Sequence, residues 1–355
     1  MEECLAVVEE RTGAVTDGEA EDSGQWREAL ERFSTAGSHN SSLWSIMSSS
    51  LPEEFDFVRG CEEIASYGNI PTDTNPALVC PHDIAYIPQR HCFLVTEPFK
   101  HRIGIYEAET FKFVDWLPHP KSYKRYERPR SILSTASGRV FIVVRDKIEI
   151  LDDKLNGYQF RTGFFCGLAE GESGEIFTMS YLRFKQAHFI LRLSVGPNSF
   201  YKFTGQICLS VIGTFDNFKY SRPSSLIYSN KKLFITDEGI HKFYLVDLVT
   251  GGQKAFGHFG SGPGQLVRPT GIFPDDNGHL LVADGKKRLQ VYSKSGHFIK
   301  VAVEDESLER LESIRRFKDF LIVMKSSTKE SPRSGRVIWY RVGRGDSGLS
   351  TGSES

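Results

Sequence analysis

The sequence contains no uninterrupted apolar run of about eighteen residues, the minimum for a helix that crosses a membrane. Its first residues, MEECLAVVEERTG, also lack the basic segment followed by an apolar segment that marks a secretory signal. These two absences predict a soluble protein that is not secreted and has no membrane partner. We therefore expect it in the cytoplasm.

The six cysteines, at positions 4, 61, 80, 92, 166 and 208, form no Cys-x-x-Cys pair. RING and B-box modules bind zinc through cysteines at that spacing, so the sequence predicts neither module within this chain. Isolated thiols suit a reducing compartment, where they stay free or buried. No structural zinc site is expected.

The common catalytic motifs are also missing. The sequence has no nucleophile elbow, no Walker loop and no His-Glu-x-x-His. The Gly-rich segment Gly260–Gly264 precedes a strand pattern and no helix, so it does not resemble a phosphate-binding loop. These observations predict that the chain is not an enzyme and needs no cofactor.

The clearest positive signal is the segment from Phe259 to Ile299. Apolar runs of four to six residues alternate there with turn residues, among them Asn277-Gly278, which suits a tight hairpin. Four short antiparallel strands in about 40 residues cannot bury their apolar faces alone. The segment is therefore interpreted as one blade of a repeated fold.

Similar units occur elsewhere in the chain. Pro223 lies 46 residues before Pro269, and Pro81 lies 48 residues before Pro129, each at the start of the same order of strands and turns. A less regular unit follows Gly167, and a degenerate one starts near Leu311. Six units predict an all-β fold, a six-bladed β-propeller of four-stranded antiparallel blades.

The strongest unit resembles the NHL repeat in its Gly-rich loop, Pro-x-Gly, Asn-Gly, Val-Ala-Asp and Arg-x-Gln-Val. The acid of the Val-Ala-Asp motif recurs as Asp284, Asp237 and Glu97 but not in the other three units, which indicates a diverged member. The resemblance implies a binding module. Several NHL propellers bind single-stranded RNA and repress messages, and others hold a protein, often a ubiquitination target when a RING is attached.

The chain is predicted to have three parts. Residues 1–50 are acidic and Ser-rich and are expected to be mostly disordered, residues 51–345 form the propeller, and residues 346–355 form a second disordered tail. The stretches Phe55 to Val58 and Ile64 to Tyr67 have the composition of strands. Because the last unit stops after three strands, the segment from Glu53 to Tyr67 is predicted to supply its outer strand and close the ring.

Charge is unevenly distributed along the chain. Residues 1–75 contain 16 acidic and 4 basic residues, whereas the remainder contains 29 acidic and 40 basic residues. A basic propeller therefore follows an acidic tail. A surplus of this size favours a polyanionic partner.

Basic residues concentrate in loops that lead into innermost strands. Arg128, Arg222 and Arg268 each precede a proline, and the segment KSYKRYERPR interleaves cations with tyrosines. Cations that neutralise phosphates beside rings that stack on bases are what single-stranded RNA recognition requires. The predicted RNA-binding residues are Lys121, Tyr123, Lys124, Arg125, Tyr126, Arg128, Arg130, Lys219, Tyr220, Arg222, Arg268, Arg315 and Arg316.

Three alternatives to this interpretation remain open. The basic loops could be ordinary solvated surface, or the same face could hold a protein, with the chain as a monomeric adaptor for a separate ubiquitin ligase. Some six-bladed propellers hold a catalytic metal in the central channel, for which only His82 and Asp83 pair suitably. The equivalent residues of other units, Ser131, Ser224 and Thr270, are poor ligands, so no metal is expected.

Overall fold

The computed structural model describes residues 55–68, 71–72, 75–119, 125–145, 147–151, 157–161, 164–182, 187–195, 201–208, 222–304, 310–327 and 334–343. Within them, 24 strands form six four-stranded antiparallel sheets. The innermost strand of each sheet contacts those of both neighbouring sheets, and the last sheet contacts the first. The predicted six-bladed β-propeller is thereby confirmed. The predicted disordered tails, residues 1–50 and 346–355, lie outside the described residues.

The strands of the first three blades follow chain order from the channel outwards. Blade 1 has β2 (Ile84–Ile87), β3 (Cys92–Glu97), β4 (Arg102–Glu107) and β5 (Phe113–Trp116). Blade 2 has β6 (Pro129–Ser134), β7 (Val140–Val144), β8 (Lys147–Leu151) and β9 (Gly157–Arg161). Blade 3 has β10 (Phe164–Glu170), β11 (Ile176–Leu182), β12 (Ala187–Val195) and β13 (Tyr201–Cys208).

The next two blades repeat this order, and the last one departs from it. Blade 4 has β14 (Pro223–Ser229), β15 (Lys232–Asp237), β16 (Lys242–Asp247) and β17 (Gln253–Phe256). Blade 5 has β18 (Gly271–Pro274), β19 (Leu280–Asp284), β20 (Arg288–Tyr292) and β21 (Phe298–Glu304). Blade 6 has β22 (Arg310–Phe317), β23 (Phe320–Ser327), β24 (Ser334–Val342) and, outermost, β1 (Cys61–Tyr67).

The ring closes through the N-terminal strand. β1 pairs antiparallel with β24, so that Cys61 lies opposite Val342 and Tyr67 opposite Val337. This confirms the predicted closure, which removes the exposed edge that three strands alone would leave.

The prediction of a strand at Phe55 to Val58 is wrong. These residues lead into a 3-10 turn, Phe57–Arg59, because the Asp56 carboxylate accepts a hydrogen bond from the backbone N–H of Val58 at 2.8 Å. The rings of Phe55 and Phe57 are buried between blades 5 and 6, and the backbone N–H of Phe57 donates to Asp275 Oδ2 at 3.0 Å. The segment thus anchors the chain to blade 5 without joining a sheet.

Turn chemistry sets the strand boundaries of blade 5. Between β18 and β19, Asp275 Oδ1 accepts hydrogen bonds from the backbone N–H groups of Asn277 and His279, at 3.0 and 2.7 Å. Gly278 has a φ of 81°, a conformation that glycine adopts without strain. The short β19 is buried along its whole length, as expected of a strand covered on both faces.

The core consists of six apolar clusters, each lying between two adjacent blades. The cluster between blades 6 and 1 is the most aromatic, with the Trp339 ring at its centre. Because each blade contributes to two clusters, no blade buries its apolar residues without both neighbours. Among the described residues, no helix is long and apolar enough to cross a membrane.

Candidate functional site

One face of the ring, called here the top face, carries two kinds of loop. They are the loops that lead into the innermost strands and the turns that join the second and third strands of each blade. Backbone hydrogen bonds join the two kinds, as from Gly285 N to the Val267 carbonyl at 2.7 Å and from Glu238 N to the Arg222 carbonyl at 3.0 Å. The remaining turns form the bottom face.

Buried carboxylates anchor these leading loops. Asp284 Oδ1 accepts a hydrogen bond from Val267 N at 3.1 Å, and Asp237 Oδ1 accepts one from Arg222 N at 2.8 Å. In blade 1, Glu97 Oε1 accepts a hydrogen bond from Val79 N at 2.5 Å, so the longer acid keeps the same role. The recurring acid of the repeat is therefore a structural residue that positions the loop leading into the inner strand of its own blade.

The Arg-x-Gln pair of blade 5 holds the Gly-rich loop. Arg288 Nη1 donates to the Ser261 carbonyl at 2.7 Å, and Gln290 Nε2 donates to the Gln265 carbonyl at 2.9 Å. Gln290 Oε1 also accepts a hydrogen bond from Gly264 N at 3.0 Å. The loop is consequently fixed from below, which leaves its outer side available to a partner.

Arg128 and Arg268 occupy matching positions in blades 2 and 5. Both precede a proline, and both have a left-handed backbone, with φ values of 51° and 52°. The backbone N–H of each donates to a histidine Nδ1 of the preceding blade, to His101 at 3.3 Å and to His241 at 2.9 Å. This contact fixes the backbone while both arginine side chains remain exposed.

The other residues predicted on this face divide into three groups. Arg125, Arg130 and Arg222 are exposed. Lys121, Tyr123, Lys124, Lys219 and Tyr220 lie outside the described residues. The prediction that Tyr126 lies exposed on this face is wrong. Its ring packs between blades 1 and 2, and its hydroxyl donates to the Pro118 carbonyl at 2.9 Å. Burial raises the pKa of the phenol well above its usual value. Its ring is not available to stack on a base.

Arg315 and Arg316 do not lie with the other arginines. Arg315 Nη2 contacts Asp83 Oδ2 at 2.7 Å, and the same oxygen accepts a hydrogen bond from Ile132 N at 3.1 Å, so this pair joins blades 6, 1 and 2. Arg316 Nη2 contacts Asp276 Oδ2 at 3.2 Å on the bottom face, and its guanidinium lies 4.1 Å from the centre of the Phe55 ring. Both arginines serve the fold, so their assignment to the RNA-binding face is wrong.

Two exposed aromatic rings on the top face were missed by the sequence reasoning. Phe259, which precedes the Gly-rich loop, is 68% exposed, with its ring 4.8 Å from that of His241. Phe99 is 42% exposed in the turn between β3 and β4. The sequence feature that could have indicated them is their position in turns, outside the strands whose alternating pattern buries aromatic rings.

The described residues offer little to hold a metal in the channel. Asp83 is occupied by Arg315 and Ile132, and His82 Nε2 faces Glu312 Oε2 at 3.8 Å, while burial lowers the pKa of His82. The one group of three potential ligands among the described residues, Asp56, Asp275 and His279, lies on the bottom face. There it anchors the N-terminal segment through the Asp275 contact with Phe57.

Comparison with known proteins supports the fold more strongly than the family. No family model matches the chain. Protein lin-41 of Caenorhabditis elegans is 49% identical over 45 residues, which are 12% of this chain and 4% of that protein. The chain thus matches only a small fraction of that relative's length.

Two solved structures illustrate the likeness in fold. A luciferin-regenerating enzyme aligns with a TM-score of 0.56 at 14% identity, over 80% of this chain and 95% of that chain. A chain of the nidogen/laminin complex aligns with a TM-score of 0.51 at 13% identity, over 67% of this chain and 85% of that chain. Identities this low show the fold alone. That fold is suited to protein binding.

The prediction that the chain is not an enzyme is wrong. It depended on absent motifs, yet the luciferin-regenerating enzyme has the same propeller fold. A propeller builds its central site from single residues of several blades, and such a site leaves no local sequence motif. The absence of an elbow, a Walker loop or a zinc helix therefore did not exclude catalysis.

Proposed function

We propose that the chain is a diverged NHL-type propeller whose top face binds single-stranded RNA, as a monomeric post-transcriptional regulator in the cytoplasm. The observation that carries this proposal is the charge of the top face. Among the described residues of this face, the exposed cations are Lys100, Arg125, Arg128, Arg130, Arg145, Arg222, Arg268 and Lys286, against the exposed carboxylates of Glu127 and Glu304 and the half-buried one of Glu238. A surface with this surplus attracts a phosphate backbone.

Exposed rings beside these cations favour an unpaired strand over a duplex. The Phe259 ring packs beside His241, which accepts a hydrogen bond from the Arg268 backbone, and Phe99 lies next to Lys100. Base stacking on an aromatic ring contributes about 1–3 kcal/mol per base and is tolerant of sequence. Phe259 and Phe99 thus take the role that the sequence assigned to Tyr126.

The direct test is fluorescence anisotropy of the full chain with a random single-stranded RNA pool over a salt series. Replacing Arg128, Arg222 and Arg268 together with glutamate is expected to weaken binding on the order of 100-fold at low salt. The slope of log affinity against log salt should also become shallower by about 1.4 to 2, since two or three phosphate contacts are lost.

The matched control reverses three cations on the bottom face, Lys231, Lys294 and Lys318. Lys231 and Lys318 share the left-handed backbone of Arg128 and Arg268, with φ values of 58° and 53°. The two triple variants therefore change net charge equally, and each places two of its three glutamates in a left-handed conformation. An equal loss in both variants, or no binding by the unmodified chain at low salt, contradicts the proposal.

A protein partner on the same face is the second candidate. Phe99 and Phe259 are exposed apolar groups among charges of both signs, a composition typical of protein contacts. The chain of the nidogen/laminin complex shows that this fold occurs in protein assemblies. If the RNA test fails, a protein captured by the unmodified chain and lost with the top-face triple variant would support an adaptor function, for example in ubiquitination by a separate ligase.

A further inference from the structure

The cations of the top face differ in how they are paired. Within the described residues, Arg128, Arg130 and Arg222 form no ion pair, so their guanidinium groups are available to a partner. Arg268 is different, because its Nη2 lies 2.9 Å from Glu238 Oε2. Arg310 Nη2 lies 3.6 Å from the same carboxylate oxygen. One glutamate thus serves two arginines that belong to blades 5 and 6.

These pairs continue across the mouth of the channel. Arg310 Nε lies 2.9 Å from Glu312 Oε1, which also accepts a hydrogen bond from the Ser326 hydroxyl at 2.5 Å. Glu312 Oε2 faces His82 Nε2 of blade 1 at 3.8 Å. Because Glu238 belongs to the β15–β16 turn of blade 4, the chain of contacts spans blades 4, 5, 6 and 1.

Glu238 is more buried than the two arginines with which it pairs. Its side chain is 16% exposed, whereas those of Arg268 and Arg310 are 49% and 38% exposed. The two guanidinium groups are therefore accessible to a partner, and the carboxylate lies beneath them. A phosphate that approaches either arginine meets a negative charge that already neutralises part of its attraction.

We propose that Glu238 is a specificity-determining residue of the top face. By neutralising Arg268 and Arg310, it leaves the strong phosphate contacts to the unpaired arginines of blades 2 and 4, which are Arg128, Arg130 and Arg222. A polyanion with no other complementarity is then held by part of the cation set only, which is how a repulsive element produces selectivity. This inference rests on the proposed binding of RNA to the same face.

The test replaces Glu238 with glutamine, which keeps a hydrogen-bond acceptor for the arginines and removes the charge. Affinity of the full chain for the random RNA pool is expected to rise on the order of tenfold at low salt. The salt slope should steepen by about 0.7 to 1.4, since one or two further phosphate contacts form. The salt concentration that elutes the protein from heparin-agarose should rise as well.

Glu127→Gln is the matched control. Glu127 is an exposed carboxylate of the same face that pairs with Arg145 at 3.4 Å, so its replacement changes the net charge by the same amount. A general charge effect would raise affinity equally in both variants, whereas the inference expects the gain mainly in Glu238→Gln. It also expects Arg268→Gln to reduce that gain when combined with Glu238→Gln, since Arg268 is one of the two released cations.

The two readouts separate this inference from the proposed function. If the unmodified chain fails to bind RNA, the proposed function is contradicted, and heparin elution still compares Glu238→Gln with Glu127→Gln. Equal elution of these two variants, or an undiminished gain in the Arg268→Gln background, overturns the inference. A selective gain with heparin but none with RNA would place a polyanion other than RNA on this face.

Discussion

Replacing Asp284 with alanine is expected to lower the free energy of unfolding by about 3–5 kcal/mol, because the change leaves a buried guanidinium without its counter-ion. Asp284 Oδ2 contacts Arg288 Nη2 at 2.5 Å and accepts a hydrogen bond from Gln290 Nε2 at 2.9 Å. Its other oxygen accepts hydrogen bonds from Val267 N and Lys286 N, at 3.1 and 2.9 Å. Chemical denaturation of the full chain measures the loss.

Two further variants test whether the loss of stability in Asp284→Ala comes from the buried ion pair. Asp247→Ala removes an aspartate of an exposed turn whose Oδ1 accepts hydrogen bonds from Val249 N and Thr250 N, both at 2.9 Å, so a much smaller fall in Tm is expected. Asp284→Ala combined with Arg288→Met removes both charges and should recover part of the stability. If Asp284→Ala and Asp247→Ala melt at the same temperature, the anchoring role of Asp284 is refuted.

Replacing Trp339 with alanine is expected to cost about 3–5 kcal/mol of stability, because it opens a cavity in the core between blades 6 and 1. The Trp339 ring is fully buried on β24, and its centre lies 5.5 Å from that of Phe93 in blade 1 and 6.1 Å from that of Phe317 in blade 6. The cavity therefore opens where the ring of blades closes. Chemical denaturation measures this loss of stability, and thermal unfolding should show a lower Tm.

Trp116→Ala is the control for loss of a tryptophan. Trp116 lies on β5, the outer strand of blade 1, where its ring is half-buried under the guanidinium of Arg102 at 3.6 Å. Its replacement leaves no enclosed cavity, so a distinctly smaller loss is expected. Equal losses for the two tryptophans would show that closure between blades 6 and 1 does not depend on the Trp339 cluster.

The architecture could be predicted from the sequence because its signals are local. The spacing of Pro81, Pro129, Pro223 and Pro269 marks the start of inner strands, and turn residues such as Asn277-Gly278 separate the strands. Even closure by β1 followed from counting strands in the last unit. The segment around Phe55 failed for the opposite reason, because its position against blade 5, outside the sheet, depends on a contact between Phe57 and Asp275, more than 200 residues away.

The candidate site could be predicted only in part. Topology places every residue that precedes an inner strand on the same face, so the location of Arg128, Arg222 and Arg268 followed from the repeat. The positions of the Tyr126, Arg315 and Arg316 side chains depend on contacts that no local sequence pattern shows. Arg315, for example, pairs with Asp83, which is 232 residues away. The exposed rings of Phe99 and Phe259 likewise emerged only from the packing around them.

The sequence by itself determined the repeated four-strand unit, the number of blades and the excess of basic residues in the propeller, since each depends on neighbouring residues or on a sum. Only the tertiary structure decided which of those cations remain available. Ion pairs such as Arg268 with Glu238 form between blades, and their energy depends on distances set when the ring closes. The charge that a partner meets is therefore a property of the assembled ring.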